Sequence, residues 1–217
     1  MCFAYTLRTK IEKLDLPFKL ISTENNISFK VHPYGKGLVI LNETDGNHKM
    51  EWMQYSLIPA WSDQKKLKFT TYNARSESIE TKPTWKNSFK FKRCLVPLTH
   101  FTESVYEGPL AGNIVNFAAT TDSPLMSAGL WEEWIDKSTG ELIRSYAIVT
   151  KEPYDFVRKN GHDRSPFFIQ KKFYEQWLDP KWNQVPEIKM QLIENTYVPE
   201  LTVSVERPLK PGWSDRK

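Results

Sequence analysis

Two cysteines in 217 residues are too few for a disulfide framework, and they point to a reducing, cytoplasmic setting. Four histidines stand in no ligand spacing with each other or with those cysteines, so no structural metal is expected. No apolar run reaches the length a bilayer requires, which argues against a membrane protein. Arg8, Lys10, Glu12 and Lys13 stand where a signal peptide would need its apolar segment. Repeats, low-complexity tracts and Pro- or Gly-rich linkers are missing too. One domain over 1–217 is therefore expected, with residues 207–217 as a peripheral tail and the chain a monomer.

Aromatic residues, by contrast, are plentiful. Twelve Phe, nine Tyr and eight Trp within a 40% hydrophobic composition are ample for a sizeable core. Charge is unevenly spread. Between Trp61 and Arg93 nine Lys or Arg face three acids, a local +6 in a chain of +4 that leaves −2 elsewhere. Cations interleaved with Trp61, Phe69, Tyr72 and Trp85 suit a surface that follows phosphates and stacks bases, although a solvated lysine face has the same composition.

The periodicities read mainly as strands. Ile27, Phe29 and Val31 alternate with polar residues, and 37–41, 52–58, 93–96, 114–119, 126–130, 142–150 and 201–205 read as further strands. Leu7, Ile11 and Leu14 have helical spacing and predict a short early helix. Residues 75–91 predict helical patches broken at Pro83. Residues 153–160 predict a helix with Pro near its start and Gly161 past its end, and 173–178 and 186–193 predict two more. Strands in runs, not in strict alternation with helices, indicate α+β with largely antiparallel sheet.

Cys2, directly behind Met1, is the sharpest chemical signal. The residue at position 2 is small enough for an aminopeptidase to remove Met1. The resulting N-terminal cysteine carries an α-amine of pKa roughly 7.7–8.0 beside a thiol near 8.5. Such a 1,2-aminothiol condenses with an aldehyde to an imine, and the sulfur then closes a thiazolidine ring. With Met1 in place the amine is blocked. Taken alone, Cys2 reads more plainly as part of a frayed terminus.

Four motifs change that weighting: Met1-Cys2, Asn73-Ala74-Arg75-Ser76-Glu77, Arg93-Cys94-Leu95-Val96-Pro97 leading to Phe101-Thr102-Glu103, and Gly161-His162-Asp163-Arg164-Ser165-Pro166. With Ser56-Leu57-Ile58-Pro59-Ala60-Trp61 and the 128–134 segment Ala-Gly-Leu-Trp-Glu-Glu-Trp, their order and spacing resemble the SRAP family of abasic-site-processing proteins over most of the chain. The resemblance implies curved, mainly antiparallel sheets forming a barrel-like core, with short peripheral helices and a basic cleft. It implies capture of abasic sites in single-stranded DNA as a thiazolidine crosslink through Cys2, association with the nucleoid when bound, and no cofactor. Lyase and self-processing peptidase activities come with the family. Carried over by motif, the candidate catalytic residues are Cys2, Asn73, Glu103 and His162, and the candidate DNA contacts are Trp61, Arg75, Ser76 and Arg164.

The chemistry asks for these residue types. An abasic sugar is mostly a closed hemiacetal, and a carboxylic acid such as Glu103 can open it by proton transfer. His162 titrates in the range that carbinolamine collapse needs. The Asn73 amide oxygen can hold the amine without adding a charge that would raise its pKa. Arg75 can bind a phosphate bidentately, and Trp61 can stack on a base. Plainer readings exist: Glu103 as a surface carboxylate at a strand end, His162 as a helix C-terminal cation, and Asn73 as a helix cap, with Trp131 and Trp134 in the core. Two rival functions use the same residues: a cysteine peptidase or amidohydrolase built on Cys2, His162, Glu103 and Asn73, and a non-catalytic reader of damaged DNA.

The chain also departs from the family pattern. Tyr55-Ser56-Leu57 stands where Trp-Gly-Leu is expected, Ser104 replaces an aromatic, and Lys30-Val31-His32-Pro33 places His32 in a loop beside the expected site.

Overall fold

The computed structural model describes residues 3–22, 25–43 and 47–216. In chain order the strands are β1 (Ala4–Lys10), β2 (Leu20–Ile21), β3 (Asn26–Val31), β4 (Lys36–Asn42), β5 (His48–Tyr55) and β6 (Asn73–Arg75). Helix α1 (Lys86–Phe91) follows, then β7 (Arg93–Leu98), β8 (His100–Val105), β9 (Asn113–Ala119), β10 (Leu125–Ile135) and β11 (Leu142–Lys151). The chain closes with α2 (Asp155–Lys159), β12 (Ser165–Pro166), α3 (Tyr174–Leu178), α4 (Val185–Glu194) and β13 (Leu201–Pro208).

Two sheets carry the fold. One is antiparallel throughout, in the order β13-β9-β8-β1-β3. In the other, β11, β10, β7, β4 and β5 pair in turn, and β5 returns to pair with β11 at Ser145↔Gln54 and Tyr146↔Tyr55. That last, parallel pairing closes a five-stranded barrel, which removes the open edges a flat sheet would expose. The expected α+β, mainly antiparallel, barrel-like architecture is the one observed.

Alternation decides which residues fill the core. Tyr5, Phe101 and Phe117 of the open sheet face Tyr55, Val96 and Tyr146 of the barrel, and all are buried together. A second apolar cluster lies under the helices, where Trp85, Phe89, Trp177, Ile188 and Leu192 cover Leu95, Leu130 and Val149. Arg93 pins this layer. Its guanidinium, 2% exposed, donates to the carbonyls of Phe89, Lys90, Trp177, Asp179 and Trp182, capping the ends of α1 and α3 against β7. Burial lowers its pKa to about 10. Arg93 and Lys92, which pairs with Glu132, are thus withdrawn from the basic block counted in the sequence. Trp134 is buried as expected and Trp131 is half-buried against the core.

Several elements differ from the sequence reading. Leu7 lies in β1, hydrogen-bonded on both sides by β3 and β8, and only Ile11–Leu14 forms a single 3-10 turn. Two ladders outweigh the marginal stability of so short a helix. The strand expected over 52–58 ends at Tyr55, and 76–85 is turn instead of helix, so Asn73 begins β6 and caps nothing. Strand β8 has no counterpart among the strands expected from periodicity.

Candidate functional site

On β8, Phe101, Glu103 and Val105 share one face by the two-residue period, and that face is the apolar core. Glu103 is 0% exposed, so it is no surface carboxylate. Burial pushes its carboxyl up to about 8, and the nearby negative charge of Asp163 adds to the shift.

His162 arrives from the opposite direction. Helix α2 stops at Lys159, and Gly161, at φ +88°, turns the chain back. A side chain at Gly161 would stand 1.9 Å from the Glu107 carbonyl oxygen, so only glycine fits between α2 and the β8–β9 connection. Gly108 packs on Gly161 from that connection. This contact sets His162 Nε2 at 3.3 Å from Glu103 Oε2. Nδ1 lies 3.0 Å from the Arg164 carbonyl and 3.2 Å from its N–H. Burial lowers His162 to about 4, so it is not the group titrating near neutrality that its residue type suggests. The two shifts run opposite to those of an ion pair, so between these values both groups are neutral. A neutral pair at this distance accommodates the acid O–H on Nε2, while Nδ1 lies between the Arg164 carbonyl and N–H.

The remaining candidates gather around the C-terminal end of β11. There β6 pairs with one edge (Ile148↔Asn73, Thr150↔Arg75) and β12 with the other (Thr150↔Pro166, Lys151↔Ser165). Asn73 and Ser76 are buried and Arg75 is exposed. The Ser76 N–H donates to the Thr150 carbonyl. Arg164 is only 6% exposed: its guanidinium donates to both Glu77 oxygens at 2.8 and 3.0 Å, and to Thr150 Oγ1. Glu77, a member of the same motif as Asn73, was not singled out from sequence. Burial acts to raise its carboxyl, but the Arg164 hydrogen bonds, a backbone hydrogen bond and the charges of Arg164 and Arg75 together hold it below the usual range. Trp61 is 56% exposed at the root of a lysine-rich excursion, with Nε1 donating to the Pro83 carbonyl. His32 stacks beside Phe3, at a ring separation of 6.1 Å. Cys2, the proposed nucleophile, lies outside the described residues.

The structure thus brings a buried Glu103–His162 acid–imidazole pair within two residues of Arg164, which pairs with Glu77 beside the exposed Arg75 at the end of β11, while Trp61 stands exposed. The chain belongs to the SRAP family (SOS response associated peptidase), whose pattern matches residues 1–206. It is 27% identical over 198 residues to the abasic site processing protein YoqW of Bacillus subtilis, covering 89% of this chain and 87% of that protein. The abasic site processing protein HMCES of Xenopus tropicalis is 29% identical over 179 residues, which is 70% of this chain and 52% of HMCES. Among solved structures, a protein from Bordetella bronchiseptica superposes with a TM-score of 0.74 at 20% identity, over 95% of this chain and all of the other. One from Bacteroides thetaiotaomicron gives 0.71 at 22%, covering 95% and 92%. No helix among the described residues is long and apolar enough to cross a membrane.

Proposed function

We propose that the chain processes abasic sites in single-stranded DNA, capturing the open-chain sugar through the N-terminal amine and thiol of Cys2 once Met1 is removed. The observation that carries this reading is the buried Glu103–His162 contact on β8, one residue from the point where Ala4 pairs with Thr102 and the N-terminal strand enters the sheet. Two peptide links separate Cys2 from Ala4, so its Cα stays within about 7.6 Å of Ala4 Cα whatever path they take.

In this scheme the neutral Glu103 carboxyl gives a proton to the sugar ring oxygen as the anomeric hydroxyl loses one, opening the hemiacetal with no net proton change. The amine adds to the aldehyde carbon. The carbinolamine hydroxyl then leaves as water with a proton given by the Glu103–His162 pair, and the iminium nitrogen returns one proton to that pair, leaving a neutral imine. Finally the thiol adds to the imine carbon and its proton passes to nitrogen, so one water is released per thiazolidine. Asn73 orients the amine, Arg75 holds a flanking phosphate and Trp61 stacks on a neighbouring base. Arg164 acts through Glu77 and Thr150, holding the turn that presents Arg75.

Intact-mass analysis after mixing with abasic single-stranded DNA tests the reading. A heat-stable adduct lacking one water is expected from wild type, and only a hydrolysable imine from Cys2→Ser. An equally stable adduct from Cys2→Ser overturns ring closure. Cleavage of added peptides without any DNA adduct favours the peptidase instead.

A further inference from the structure

Tyr34 occupies a tight turn between β3 and β4 at φ +70°, a conformation costly for a bulky aromatic residue. Its N–H donates to the Tyr55 carbonyl and the Gly35 N–H donates to the His32 carbonyl, which together fix the turn. The ring is nevertheless 45% exposed, with the Lys66 ammonium 5.3 Å from its centroid. It borders an open groove of about 400 Å³ shared with Lys36, Trp52, Gln54, Lys65 and Leu142, within the roughly 300–1,000 Å³ of small-ligand sites. Trp52 is 42% exposed and rests on Phe29, their centroids 5.0 Å apart.

The acids of this groove are already engaged: Glu51 by Arg144 and Lys49, and Glu141 by Lys65. Among the described residues no acid pairs with Lys36, Lys66 or Lys68. A chain of contacts links the groove's turn to the elements that carry the candidate site. The turn hydrogen-bonds to Tyr55, whose ring faces Tyr72, the neighbour of Asn73; on the other side His32 touches Phe3.

We infer that Tyr34 and Trp52, flanked by Lys36 and Lys66, form a stacking platform for nucleotides of the single strand that flank the abasic position. Two partly exposed aromatic rings with unpaired cations beside them match bases and phosphates, and the backbone cost at Tyr34 is retained because it presents a ring. Neither residue lies in the basic block read from the sequence. The inference rests on the abasic-site reading for its placement of the strand.

Fluorescence anisotropy with single strands carrying a non-reactive tetrahydrofuran site, extended on one flank and then on the other, tests it. Lengthening one flank should tighten wild-type binding, and Tyr34→Gly or Trp52→Ala should each erase that gain, about 5- to 100-fold. Tyr34→Gly suits the turn's φ, so its melting temperature should match or exceed that of wild type and exclude misfolding as the cause. Tyr34→Phe should keep the gain. The same flank dependence in wild type and both truncations overturns the platform, leaving the groove to a protein partner. Failure of wild type to crosslink a short, truly abasic strand counts against the functional reading alone, because the flank effect is read separately on the unreactive tetrahydrofuran strands.

Discussion

A carboxyl at about 8 and an imidazole at about 4 have opposite consequences for stability and for rate. Glu103 is raised above its unfolded value, so its contribution is fully present below about pH 4.3 and is lost as pH rises through 8. His162 is lowered, so its contribution is present above about pH 6.5 and lost as pH falls through 4. Under the proposed reading, crosslinking needs Glu103 protonated and the Cys2 amine free. The rate should therefore follow a bell, with the amine on its rising limb and Glu103 on its falling limb near 8. Glu103→Gln should slow crosslinking by about 10²–10⁴-fold and abolish the falling limb. The same variant should unfold at a higher temperature than wild type above pH 8, because a neutral amide has no buried charge to form. Single-turnover rates across pH and melting curves at two pH values check both statements. A second residue stores strain. Ser56 replaces the glycine of the family pattern at φ +125°, and its buried hydroxyl makes no hydrogen bond among the described residues. Ser56→Gly should stabilise the protein by about 1 kcal/mol, seen as a higher urea midpoint at constant slope.

At the scale of elements, the site depends on a glycine contact between α2 and the β8–β9 connection. Gly161→Ala places a methyl group against the Glu107 carbonyl and forces φ +88° on a residue with a Cβ. It should cost about 2–4 kcal/mol and move His162 away from Glu103. Urea titration reads the first effect, and a slower single-turnover crosslinking rate reads the second. Strand β11 is the other organising element. Its edge is taken by β5 as far as Tyr146 and by β6 from Ile148, and the chain between them forms the lysine-rich excursion closed by the Leu57 N–H on the Thr71 carbonyl. Ser56 stands where β5 leaves that edge, which accounts for its unusual backbone: the chain must turn off a strand it has just joined.

For the whole molecule, charge counted along the chain overstates what a DNA strand can meet. Arg93 and Arg164 are buried in structural roles, and Lys92 is paired, whereas Arg75 is exposed beside the site. Arg75→Ala should flatten the slope of log affinity against log salt by about one unit for any sequence, measured with unreactive strands. Much of the fold was legible because its signals are local: alternation in β3, β9 and β11, and the Pro and Gly that frame α2. Other parts depend on partners remote in sequence. Leu7 has helical spacing with Ile11 and Leu14, yet it lies in β1, which pairs with β3 along its length and with β8 over Ala4–Thr6. Strand β8 hid behind His100, Thr102, Glu103 and Ser104, polar residues whose burial comes only from the neighbouring layers. Candidate types at the site were readable from motifs, but the Glu103–His162 contact and the Arg164–Glu77 pair join segments that no periodicity connects.

One pairing also bears on biosynthesis. Tyr5 lies opposite Phe101, so on the ribosome β1 emerges long before β8 can receive it. At about 5–20 residues per second, that wait lasts roughly 5–20 s, during which only the β3 side of β1 can pair. Under the proposed reading, this interval is when an aminopeptidase meets an unstructured amino end and removes Met1. Maturation then precedes assembly of the site, and no separate unmasking step is needed. On the same reading, a fusion that blocks the amine would yield a folded protein that binds DNA and cannot capture it.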